Sequence, residues 1–81
     1  MKMKREYLEP LCRRRAEIIF DMALQRFNYP KDYRKLDEVR DWCKRQVQSY
    51  SSVEQEIIME EIENCIRKYK CVLRDYQMSW W

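Results

Sequence analysis

The sequence contains no glycine and no histidine among its 81 residues. Glycine supplies the positive φ angles on which phosphate-binding loops, nucleophile elbows, tight hairpin turns and left-handed helix caps ordinarily depend. Without histidine, a general base active near neutral pH would have to be a carboxylate, a lysine or a cysteine with a shifted pKa. We therefore expect a protein that is not an enzyme and that binds no cofactor or small-molecule substrate.

The four cysteines lack the spacing of zinc ligands, which usually come in pairs separated by about two to four residues. The closest pair is Cys65 and Cys71, with five residues between them. On one helix their Cα atoms would lie about 9 Å apart, too far for a disulfide. We expect no metal site and free thiols. Free thiols indicate a reducing, intracellular location in the cytosol, the nucleus or an organelle. The sequence has no apolar run of about 18 residues and no signal peptide, so we expect no transmembrane segment.

The abundance of Glu, Lys, Arg, Gln and Met, together with the absence of glycine, is typical of long helices joined by short turns. We predict an all-α fold in one domain, residues 1–81, with three helices over about 10–27, 33–49 and 52–79. Pro10 fits a first helical position, so residues 1–8 are predicted to be an extended arm. Helix caps are expected at Asp32 and at Ser51 or Ser52, which have Glu54 and Gln55 three residues on.

Each predicted helix has one apolar face at helical spacing. The third also steps by four and three residues from Ile58 to Tyr76, a coiled-coil spacing that a bundle helix shares. The predicted core positions are Cys12, Ala16, Ile19, Phe20, Ala23, Leu24 and Phe27 in the first helix, Leu36, Val39, Cys43, Val47 and Tyr50 in the second, and Ile58, Ile62, Cys65, Ile66, Tyr69, Val72, Leu73, Tyr76 and Trp80 in the third.

Two sets of apolar residues lie wholly or partly outside this core. The first, Leu11, Ile18 and Met22, lies on nearly the opposite side of the first helix. The second is the run of large side chains at the end of the sequence, Tyr76, Met78, Trp80 and Trp81. Tryptophan, tyrosine and methionine are enriched at the centres of protein interfaces. These seven residues are therefore the predicted partner-binding residues.

Charge is unevenly distributed along the chain, although the net charge is only +3. Residues 1–15 carry six basic and two acidic side chains, whereas residues 51–66 carry five acids and no base. Arg13, Arg14 and Arg15 are candidate phosphate contacts, because guanidinium groups pair well with phosphate oxygens. Three consecutive residues of a helix point in three directions, so this run forms a diffuse positive end.

These features predict either a compact up-down-up bundle or an open arrangement of helices that partner chains complete, and the two apolar sets outside the core favour the open form. The function we expect is that of a non-catalytic structural or adaptor subunit, acting through amphipathic helices on other proteins or on a second copy. The alternatives are a small basic nucleic-acid-associated protein and a helical regulatory or inhibitor protein.

Overall fold

The computed structural model describes residues 5–78, with the side chains of residues 6–76. Three helices, α1 (Arg5–Arg26), α2 (Tyr33–Gln46) and α3 (Ser52–Met78), are joined by two short turns. The predicted all-α fold is confirmed. Each helix packs against both of the others, as in the compact alternative rather than the open one.

Contacts between side chains define the directions of the helices. Arg13 of α1 pairs with Glu61, and Phe20, further along α1, makes an edge-on ring contact with Tyr69 at 6.2 Å. Because a residue further along α1 contacts a residue further along α3, the two helices run parallel. The Tyr69 hydroxyl donates a hydrogen bond to the Pro30 carbonyl before α2, at 2.6 Å, whereas Gln55 binds the Tyr50 carbonyl after it. Helix α2 is therefore antiparallel to α3, which gives an up-down-up bundle.

One apolar core fills the space between the three helices, and no polar side chain among the described residues is buried. All but one of the buried apolar residues lie at positions that helical spacing predicts. The buried residues are Cys12, Ala16, Ile19, Phe20, Ala23, Leu24, Leu36, Val39, Cys43, Val47, Ile57, Ile58, Ile62, Ile66 and Leu73. Ile57 was not predicted, and two residues predicted to be in the core, Val72 and Tyr76, are 62% and 46% exposed.

The end of α1 has a left-handed cap made without glycine. Asn28 and Tyr29 have φ angles of 58° and 50°. The Tyr29 N–H binds the Leu24 carbonyl at 2.7 Å, and the Asn28 N–H binds the Gln25 carbonyl at 3.1 Å. This pair of bonds is the Schellman motif, with asparagine where glycine is usual. A chain without glycine can therefore still form a left-handed cap, because asparagine tolerates this conformation.

Two of the predicted N-terminal caps are present. The Asp32 side chain accepts a hydrogen bond from the Arg34 N–H at 2.9 Å, at the start of α2. Ser51 caps α3 and forms a capping box with Glu54, whose N–H binds the Ser51 hydroxyl at 3.3 Å. The second box, between Ser52 and Gln55, does not form, because the Gln55 amide binds the carbonyls of the preceding turn instead.

The helix bounds differ from the prediction at two places. Helix α1 begins at Arg5 and contains Pro10, so the predicted start near residue 10 is wrong, and residues 5–8 are not an extended arm. Proline removes one backbone hydrogen bond, but Leu8 packs against the core and holds this first part of α1 in place. Helix α2 ends at Gln46 rather than near residue 49. A tighter turn follows it, in which the Gln48 N–H binds the Arg45 carbonyl three residues back.

Candidate functional site

An apolar stripe runs along the outside of α1, on the side away from the core. Leu11, Ile18 and Met22 are 61%, 46% and 53% exposed. Tyr7, predicted to lie in an extended arm, is 64% exposed on the same face of α1. At about 100° per residue these four side chains fall within an arc of roughly 60°. We call Tyr7, Leu11, Ile18 and Met22 the outer stripe.

A groove lies beside the outer stripe, between α1 and the start of α3, with a volume of about 420 Å³. Its floor contains the buried side chains of Cys12 and Ile58 and the half-buried side chains of Leu8 and Tyr50. Leu11 and Ile18 belong both to the groove and to the outer stripe. The remaining lining residues are Arg14, Arg15 and Glu54.

The three consecutive arginines of α1 have different surroundings. Arg13 faces α3, where its guanidinium lies 3.0 Å from a Glu61 carboxylate oxygen and 3.5 Å from one of Glu60, and it is 3.7 Å from Glu9 on its own helix. The hydrogen bond to Glu61 is the main cause that raises the pKa of Arg13. Arg13 therefore links α1 to α3, and its charge is already compensated.

Arg14 and Arg15 are exposed, and neither takes part in a hydrogen bond or an ion pair within residues 5–78. On a helical projection they lie about 50° to either side of the centre line of the outer stripe. The acidic residue of the groove, Glu54, accepts hydrogen bonds from the Ser51 hydroxyl and N–H as part of the α3 cap. The groove thus combines an apolar floor with two arginines that form no ion pair within the described residues.

The predicted residues near the end of the sequence lie elsewhere. Tyr76 is 46% exposed, and its ring is 5.9 Å from the Lys31 ammonium at the α1–α2 turn, the end of the bundle away from the groove. Met78 is the last residue of α3, but the structure does not describe its side chain. Trp80 and Trp81 lie outside the described residues. The structure therefore separates Tyr76 from the outer stripe.

The cysteines are packed in or near the core, apart from Cys71. Burial raises the pKa of the Cys43 thiol to about 12, and burial also raises the pKa of Cys12 and Cys65. These thiols stay protonated, and so remain weak nucleophiles, at neutral pH. No group of three or more metal-binding side chains occurs in the described part of the chain.

Two further depressions are open to solvent. One, of about 570 Å³, lies at the α1–α2 turn, and the other, of about 390 Å³, lies between Phe20 and Leu24 of α1 and Tyr69 and Val72 of α3. The second carries Glu17, Asp21 and Lys68, a mixture of both signs of charge.

Comparison with protein-family models, curated proteins and solved structures finds no match to this chain. None of the helices within residues 5–78 has the length and apolarity that crossing a membrane requires.

Proposed function

We propose that this protein is a non-catalytic subunit or adaptor that binds another protein through the outer side of α1. The supporting observation is the outer stripe, four large apolar side chains aligned on the helix face opposite to the core. The bundle does not use these side chains for its own packing. Because each of them is already about half buried, covering the rest would contribute about 1–1.5 kcal/mol per side chain, which summed over four residues is a substantial driving force for a partner.

The position of the stripe also favours an interface over a chance exposure. Single exposed apolar residues are common on protein surfaces, but several aligned on one helix face next to a groove are typical of an interaction site. Leu11 and Ile18 are seven residues apart, and Ile18 and Met22 are four apart. These are the spacings by which helices contact other helices.

Binding to nucleic acid is the second candidate function, and Arg14 and Arg15 are the observation in its favour. It is weaker because Arg13, the third member of the predicted phosphate-binding run, already pairs with three carboxylates. Among the described residues this leaves two unpaired arginines beside an apolar stripe, a small positive patch for electrostatic binding to phosphates. Such binding would weaken steeply between about 50 and 200 mM salt.

The proposal can be tested by light-induced crosslinking in the cells that produce the protein. Tyr7 is replaced by benzoylphenylalanine, which is similar in shape and lies on the outer stripe. The matched control carries the same replacement at Tyr33, which is 43% exposed at the start of α2, far from the groove. We expect one discrete protein adduct from position 7 and none from position 33.

The alternative outcomes of this experiment differ in meaning. An adduct with RNA or DNA from position 7 would replace the proposal with the nucleic-acid function. An adduct between two copies of the chain would turn it into self-association. No adduct, or the same adducts from both positions, would refute binding through the outer side of α1.

A further inference from the structure

We propose that the groove and the outer stripe bind an acidic amphipathic helix of a partner protein, whose carboxylates pair with Arg14 and Arg15 while an apolar side chain enters the groove between Leu11 and Ile18. This inference rests on the proposed function and specifies the chemistry of the partner. It follows from the charges, the symmetry and the spacing of the residues around the groove.

The charge at the groove is the first argument. Arg14 and Arg15 have no acidic partner within the described residues, whereas Arg13, next to them, has three. Glu54 lies in the groove but is held by the Ser51 hydroxyl at 2.7 Å. A ligand that covers this site must therefore supply negative charge, because an arginine that loses water without gaining a partner is strongly destabilising.

A second copy of the chain does not meet this requirement. The midpoint between Leu11 and Ile18, like that between Tyr7 and Met22, falls between Arg14 and Arg15. If two copies packed through their outer stripes, parallel or antiparallel, the arginines of one would face the arginines of the other. Juxtaposed like charges cost several kcal/mol at an interface. The occupant is therefore a different protein.

The spacing of the stripe predicts the pattern of the partner helix. Leu11 and Ile18 are two helical turns apart, about 10.5 Å along the axis. A helix lying along α1 would present apolar side chains at positions i and i+7 and Glu or Asp near i+3 or i+4, opposite the arginines. Carboxylates accept paired hydrogen bonds from guanidinium groups, which adds specificity to the apolar contact. A phosphate backbone would satisfy the arginines but would leave the apolar floor uncovered.

The test begins with the adduct formed at position 7, whose crosslinked segment is identified by mass spectrometry. We expect a helical segment with at least one acidic residue within about one turn of the apolar residue that lies in the groove. A segment without acidic residues there would overturn this inference while leaving the proposed function intact. Failure to form any adduct would instead remove the proposed function itself.

The identified segment is then synthesised, and its affinity for the full chain is measured by calorimetry. Reversing both charges, Arg14→Glu and Arg15→Glu, should weaken binding by about tenfold or more, and replacing the acidic residues of the peptide with lysine should restore binding to this variant. The matched control, Lys44→Glu with Arg45→Glu on α2, should bind the original peptide as the natural chain does. Circular dichroism checks that each variant folds. An affinity unchanged within twofold in the Arg14 and Arg15 variant overturns the inference.

Discussion

At the scale of single residues, Asn28 shows how the chain makes a left-handed cap without glycine. Both Asn28 and Tyr29 have positive φ angles, and the cap they form satisfies the carbonyls of Leu24 and Gln25. Positive φ is unfavourable for residues with a Cβ, and asparagine tolerates it better than most of them. The turn that positions α2 therefore contains backbone strain, which substitutions at residue 28 should reveal.

We expect Asn28→Ala to lower the free energy of unfolding by about 1 kcal/mol, whereas Asn28→Gly should leave it unchanged or raise it by a few tenths. Asn64, inside α3, is a matched control because its conformation is helical. There the order should invert, with Asn64→Ala more stable than Asn64→Gly by about 1 kcal/mol. Urea unfolding of the four variants measures these differences. The same order at both positions would contradict the left-handed cap.

The thiols should differ in reactivity according to their burial. In the native protein at about pH 8, a disulfide reagent such as Ellman's is expected to react first with the exposed Cys71. Cys43, whose pKa is raised to about 12 by burial, should react only at the rate at which the bundle opens. Cys71→Ser should remove the fast phase, and denaturant should make the remaining thiols react together. Equal rates for Cys43 and Cys71 before unfolding would contradict this core.

At the scale of the helices, much of the fold could be predicted because its signals are local. Asp32 and Ser51 are caps that bind residues two or three positions away, and apolar periodicity identifies the buried faces of all three helices. The start of α1 could not be predicted in this way. Pro10 indicates a helix start locally, but Leu8 packs against the other helices, and this tertiary contact stabilises the preceding turns. Val72 was mispredicted for a related reason, since periodicity does not show how far neighbouring helices cover α3.

The tolerance of α1 for Pro10 leads to a prediction about stability. Pro10 is exposed and lies inside the helix, where proline is about 3 kcal/mol less favourable than alanine. Pro10→Ala should therefore raise the free energy of unfolding by about 1–3 kcal/mol and slow amide exchange in the first turns of α1. Lys44→Ala, at an exposed position of α2, should change the stability by less than about 0.5 kcal/mol. No gain from Pro10→Ala would mean that residues 5–9 do not contribute to the folded bundle.

At the scale of the whole molecule, the candidate site combines predictable and unpredictable features. The exposure of Leu11, Ile18 and Met22 follows from their position opposite to the core face, which spacing alone gives. The groove does not, because it requires Tyr50 and Ile58 to come beside α1, a long-range arrangement that no local pattern encodes. Helical spacing already separates Arg13 from its two neighbours, because it falls within the core-facing arc of α1, but only the packing of α1 on α3 identifies Glu60 and Glu61 as its partners.

Arg14 and Arg15, which form no ion pair within residues 5–78, also predict how copies of the protein behave towards one another. Because they flank the middle of the outer stripe on its two sides, they should oppose pairing of two copies through α1, and the isolated chain should remain monomeric. Replacing them with apolar residues, Arg14→Leu and Arg15→Leu, joins Leu11 to Ile18 in a continuous seam. We expect this variant to self-associate with rising concentration, as measured by sedimentation. Lys44→Leu with Arg45→Leu, an exposed basic pair on α2, should stay monomeric over the same range. A monomeric Arg14 and Arg15 variant would show that charge is not what keeps the copies apart, and a natural chain that already dimerises through α1 would show that the arginines do not prevent pairing.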